Sequence, residues 1–134
     1  MATKKLSSVF IIEDNDVQRL MLAEHLAKYP QVKVKEYSGG DACLRELIAG
    51  VVDELDLVLM DYFLDSSFGM SKDGLETLSK LKEIYPEMDV IMLTSVDNEK
   101  IIDLAKKKGA LDYVVKGVAS FEKLDSILNK HFTL

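Results

Sequence analysis

Cysteine is almost missing from this chain: Cys43 is the only one in 134 residues. No intramolecular disulfide can form, which suits a reducing compartment. On a short apolar helix Cys43 reads as a small packed hydrophobe. Basic charge is also scarce. Seventeen Lys and Arg face 23 Asp and Glu, a formal charge of −6. Direct binding of nucleic acid by this domain is therefore not expected, since phosphate binding wants a basic face. No apolar run approaches the ~20 residues of a membrane span, and the opening "MATKKLSS" is too short and too polar for a secretory signal. The expectation is a cytoplasmic domain without membrane contact. Neither GxGxxG nor GxxxxGK[ST] occurs, so the nucleotide-binding folds built on those loops are not expected. His25 and His131 have no second histidine or cysteine at ligand spacing and read as ordinary helix residues. Linkers, repeats and low-complexity segments are lacking too.

What remains is an ordinary globular composition, 48% hydrophobic and 30% charged, in a length that fits one domain. Short, wholly apolar runs recur: Val9 to Ile12, Leu57 to Met60, Val90 to Leu93 and Tyr113 to Val115. Runs of this kind read as parallel strands covered on both faces. Val32 to Tyr37 alternates instead, as an edge strand does. Between the strands, apolar residues return at helical spacing. Val17, Leu20, Met21, Leu22, Leu26 and Tyr29 form a broad stripe ended by Pro30. Asp41 to Ile48 follows the Gly39-Gly40 turn. Leu75 to Tyr85 is stopped by Pro86. Ile101, Leu104 and Ala105 precede Lys106-Lys107-Lys108-Gly109, a favourable helix C-terminus. The last helix carries Phe121, Leu124, Ile127 and Leu128, with Ser120 as its expected N-cap. Five βα units of this kind predict an α/β fold: a doubly wound, five-stranded parallel sheet in the order 2-1-3-4-5.

In such sheets ligands bind beyond the carboxyl ends of the strands, at the switch point between the first and third. The first strand ends in Glu13-Asp14 and the third in Asp61. Two like charges ~4 Å apart repel by about 1–4 kcal/mol across effective dielectrics of about 80 to 20, and a third acid adds to that. A divalent cation relieves the cost, and an oxygen-only donor set suits Mg²⁺ completed by a phosphoryl oxygen. Thr94 and Lys116, at the ends of the fourth and fifth strands, add a hydroxyl and an ammonium facing that anion.

With the acidic pair, "LVLMD", "VIMLTS" and "DYVVKG" in this order, the chain resembles the receiver domain of two-component response regulators, whose sheet is flavodoxin-like. The resemblance runs from Val9 to about Phe132, and residues 1–134 are read as a single receiver domain with its core at about 7–132. It implies a switch and not a conventional enzyme: catalysis is limited to its own phosphorylation and dephosphorylation. Asp61 would take a phosphoryl group from a partner histidine kinase or phosphotransfer protein. Asp14, Asp61 and the backbone carbonyl of Phe63 would ligate Mg²⁺, with Glu13 assisting. Lys116 would pair with the phosphoryl group, Thr94 would swing toward it, and Tyr113 would change rotamer behind Thr94 to alter the surface shown to a downstream protein.

Two features depart from the family pattern. Lys116 is followed by Gly117 where the family usually carries a cis proline. A cis bond before a non-proline costs about 2.5–4 kcal/mol, so this bond is either trans or held strained. The loop after Asp61, with its insertion at Asp65 to Asp73, is longer than usual and lacks proline. Its Phe68 and Met70 are expected to be exposed. Two other readings stand beside the switch. One is a pseudo-receiver that binds partners without phosphorylation. The other is an aspartate-nucleophile phosphatase of the haloacid dehalogenase type, which wants a second acid where Phe63 stands.

Overall fold

The computed structural model describes residues 3–50, 52, 55–62 and 73–134. In chain order the elements are β1 (Lys4–Lys5), β2 (Ser8–Ile12), α1 (Asp16–Leu26), β3 (Lys33–Tyr37), α2 (Gly40–Ile48) and β4 (Leu57–Met60). They continue with α3 (Gly74–Ile84), β5 (Asp89–Thr94), α4 (Glu99–Lys107), β6 (Asp112–Val115), α5 (Ser120–His131) and β7 (Phe132–Thr133). Five strands form one parallel sheet in the order β3-β2-β4-β5-β6. Counted among those five alone, this is the expected 2-1-3-4-5. The alternating strand β3 sits at the edge, where its lysines and Glu36 stay exposed. A second, two-stranded sheet pairs β1 with β7, Lys4 opposite Phe132 and Lys5 opposite Thr133.

The central strands are apolar on both sides because helices cover both sides. Strand side chains alternate between faces, and the core divides accordingly. Phe10, Ile12, Val58, Met60, Val90 and Met92 pack with Cys43, Leu44 and Leu47 of α2, Leu78 and Leu81 of α3, and Ala105 of α4. Val9, Ile11, Leu57, Leu59, Ile91 and Leu93 pack with Leu22 and Leu26 of α1 and Leu124 and Leu128 of α5. Cys43 is wholly buried, and that burial pushes its thiol up to about 12, which keeps it an inert hydrophobe.

Helix starts follow from short polar side chains. Asn15 caps α1 by accepting from the Gln18 amide at 2.9 Å, Asp73 caps α3 through the Glu76 amide at 2.9 Å, and Asn98 caps α4. Two expectations are corrected. Ser120 is the first helical residue of α5 and not its cap; its hydroxyl donates instead to the Gly117 carbonyl at 2.9 Å. The broad stripe on α1 is not all core. Leu22 and Leu26 are buried, whereas Val17, Leu20 and Met21 are exposed, because a helix lying on a sheet buries only a narrow line of its cylinder. The helix also ends at Leu26, before Tyr29. Gly109 closes α4 at φ +106°, a conformation that favours glycine.

Candidate functional site

Register carries the candidate residues to one edge of the sheet. Ile12 lies beside Met60, Met60 beside Met92, and Thr94 beside Val115. The ladder runs one step further: the Asp61 amide donates to the Ile12 carbonyl at 3.1 Å, and the Lys116 amide to the Thr94 carbonyl at 2.8 Å. Glu13, Asp61 and Lys116 therefore emerge together. They keep the faces of Ile11, Leu59 and Val114, toward α1 and α5. Thr94 keeps the face of Met92 and Val90, toward α2, α3 and α4.

One oxygen from each of Glu13, Asp14 and Asp61 lies within 4.8 Å of the others. Glu13 and Asp61 are buried, and Asp14 is exposed. The Lys116 ammonium bridges the buried pair, donating to Glu13 Oε1 and, at 3.1 Å, to Asp61 Oδ2. The other Asp61 oxygen accepts the Tyr62 amide at 2.7 Å, and Glu13 Oε2 the Asn15 amide at 3.2 Å. Burial pushes the Glu13 carboxyl up to about 7 and the Asp61 charge adds to this, against the opposing pull of Lys116. Lys116 is the cation that pairs with both buried acids. Three clustered carboxylates, all oxygen donors and open to solvent at Asp14, fit a hard divalent cation such as Mg²⁺.

Thr94 is fully buried, and its hydroxyl accepts the Val96 amide at 3.4 Å. Tyr113 is half-buried and donates to the Val96 carbonyl at 2.7 Å. Burial, followed by the Asp61 charge, pushes its phenol up to about 12, so it stays a neutral donor. Thr94 and Tyr113 thus both hydrogen-bond to the backbone of Val96. The Lys116–Gly117 bond is trans. Phe63, and the Asp65 to Asp73 insertion with Phe68 and Met70, lie outside the described residues except for Asp73.

Three participants escape a reading by strand ends. Gln18 accepts from the Lys116 ammonium through its side-chain oxygen. Arg19 donates to the Glu13 backbone carbonyl at 2.8 Å. Gly74 starts α3 against Asp61, its amide donating to the Tyr62 carbonyl at 2.7 Å, and a Cβ there would lie 2.3 Å from the Asp61 carbonyl oxygen. The strand-end pattern points to neither Gln18 nor Arg19, and Asp73-Gly74 before an apolar stretch marks a helix start but not the close approach to Asp61.

Comparison with known proteins gives the family. The model of the response regulator receiver domain matches residues 9–129. The response regulator VraR of Staphylococcus aureus is 27% identical over 120 residues, covering 89% of this chain and 54% of its own. The probable C4-dicarboxylate response regulator DctR of Halalkalibacterium halodurans is 30% identical over 136 residues, covering 98% and 54%. The chain thus spans about half the length of these curated relatives. The BeF3-activated N-terminal receiver domain of RstA from Klebsiella pneumoniae superposes with a TM-score of 0.76 at 25% identity, covering 92% of this chain and 97% of that one. Among the described residues no helix is long and apolar enough to cross a membrane. With the sheet order and the family match over residues 9–129 in agreement, this chain belongs to the response regulator receiver domains, which are signalling switches and not conventional enzymes.

Proposed function

We propose that the chain, as one receiver domain with its core at about 7–132, is a phosphoacceptor switch working in the cytoplasm, with Asp61 as the acceptor. One observation carries this reading: Asp61 is buried at the switch point, clustered with Glu13 and Asp14 and paired with Lys116. An Asp61 carboxylate oxygen attacks the phosphorus of a phosphohistidine on a kinase or phosphotransfer protein. The P–O bond forms as the P–N bond breaks, and the leaving imidazole nitrogen takes a proton. Glu13, Asp14 and Asp61 would hold Mg²⁺, whose charge, when bound, offsets that of the phosphoryl oxygens. Lys116 exchanges its contact with Asp61 for one with a phosphoryl oxygen. Thr94 rotates from Val96 toward the new acceptor. A phosphoryl group adds about −1.5 to −2 charge, and it favours the conformer in which Thr94 and Lys116 both face it. Tyr113, sharing Val96 with Thr94, then changes the surface offered to a downstream protein. The chain's own catalysis is confined to gaining and losing this group.

The test is phosphorylation by acetyl phosphate, read as a mass increase in intact protein. Gain of one phosphoryl group with Mg²⁺, lost on chelation and in Asp61→Asn, is the expected result. An unmodified native chain that also ignores beryllofluoride would replace the switch with a phosphorylation-independent interaction module.

A further inference from the structure

Between α1 and α5 lies a cavity of about 310 Å³. Its floor is Ile11, Leu59 and Leu93, and its walls are Met21 and Leu22 of α1 and Phe121 of α5. Next to Phe121 the two helices are tied to each other. His25 stacks on Phe121 with ring centroids 4.5 Å apart, and Asp125 of α5 meets His25, Lys28 and Tyr29 at 2.9, 2.5 and 2.8 Å. The polar part of the lining is Glu13, Gln18, Asp61, Lys116 and Ser120. The loop after Lys116 does not fill the gap. A Cβ on Gly117 would meet nothing within 4 Å, and Val118 is wholly exposed.

A chamber with apolar walls and this volume lies at the lower end of small-ligand sites. The polar lining decides the chemistry of the occupant. The Lys116 ammonium already donates to Glu13, Asp61 and Gln18. An anionic head group would therefore compete for an occupied cation beside three carboxylates. A positively charged donor instead meets the acidic cluster of Glu13, Asp14 and Asp61 set against the Lys116 ammonium, with Glu13 and Asp61 buried, where charge-assisted hydrogen bonds are strongest. We propose that this cavity binds small amphipathic amines, a single ring or short aliphatic body on Ile11, Leu59 and Phe121 with a protonated primary amine at Glu13 and Asp61. Such an occupant competes with Lys116 for both carboxylates. It competes with a divalent cation as well, and so opposes phosphorylation from inside the domain. The binding itself does not depend on the phosphoacceptor reading.

The test titrates phenethylamine, phenylethanol and phenylacetate, one body with three head groups, into the isotope-labelled full chain in metal-free buffer. Amide and methyl shifts report the location. The amine is expected to bind about tenfold tighter than the alcohol, with the acid weakest. Shifts should centre on Leu22, Leu59, Leu93 and Phe121. Added Mg²⁺ should weaken the amine and leave the alcohol unchanged, and Met21→Trp, which fills the chamber, should weaken the amine at least about fivefold. An alcohol or acid matching the amine overturns the proposal, as do shifts centred on another face or no response to any of the three. If Met21→Trp does not fold, the shift map of the native chain decides alone.

Discussion

At Gly74 two effects of one added methyl group oppose each other. In an open helix Gly→Ala gains about 1 kcal/mol of propensity. Here the new Cβ would fall 2.3 Å from the Asp61 carbonyl oxygen, and backbone cannot swing aside as a side chain does. Overpacking typically costs about 1–3 kcal/mol, so the clash wins. Gly74→Ala is expected to lower Tm by about 3–8 °C in thermal denaturation. Because the oxygen that must move belongs to the acceptor residue, phosphorylation by acetyl phosphate should slow as well. Gly50→Ala is the contrasting control: φ there is +72°, but nothing lies within 4 Å, so it should strain the backbone without touching phosphorylation. Glycine constraints of the first kind are invisible in a sequence, since they depend on what a distant strand places opposite.

Among the elements, α1 and α5 share an apolar core and are also joined by a polar clasp at Asp125. Burial raises the Asp125 carboxyl, but hydrogen bonds from Lys28, His25 and Tyr29 outweigh it and hold the group below its ordinary 3.8. A carboxyl lowered by folding contributes stability that is present above its unfolded value and lost as pH falls through the folded one. Asp125→Asn should therefore cost about 1 kcal/mol near neutrality. Its Tm deficit, followed by circular dichroism, should shrink as the pH is taken below 3.8. The strands of the main sheet were legible because a run such as Leu57 to Met60, apolar on both faces, has few other solutions in a chain this short. The face of α1 was not. Leu20 is as apolar as Leu22 but stands two residues away, almost across the helix from it. Periodicity shows that a helix exists more reliably than it shows which arc is covered. The strands Lys4–Lys5 and Phe132–Thr133 carry no pattern at all, and each exists only because the other lies beside it.

For the whole molecule, three acids gathered beside one lysine make folding stability depend on counter-charge. Free Mg²⁺ about one hundredfold above its dissociation constant would add about 2.7 kcal/mol by linkage, or about 10 °C in Tm. Differential scanning fluorimetry should show this rise in the native chain and lose it in Asp14→Asn and Asp61→Asn. A rise of equal size in both variants would place the ion elsewhere. The site was legible at this scale because topology did the work: in the order β3-β2-β4-β5-β6 every strand end named by the sequence lands on one edge. Gln18 and Arg19 were not legible, because they approach from the start of α1 and the strand-end rule is silent about helices.

The alternation that sends Asp61 to one side of the sheet and Thr94 to the other works like a reading frame. One extra residue inserted between Leu57 and Met60 would transpose every side chain after it to the opposite layer. The acid would then point away from Lys116, although composition and hydrophobicity would hardly change. An insertion of two would restore the phase at the expense of length. Across the strands, then, tolerance to insertion should alternate with parity.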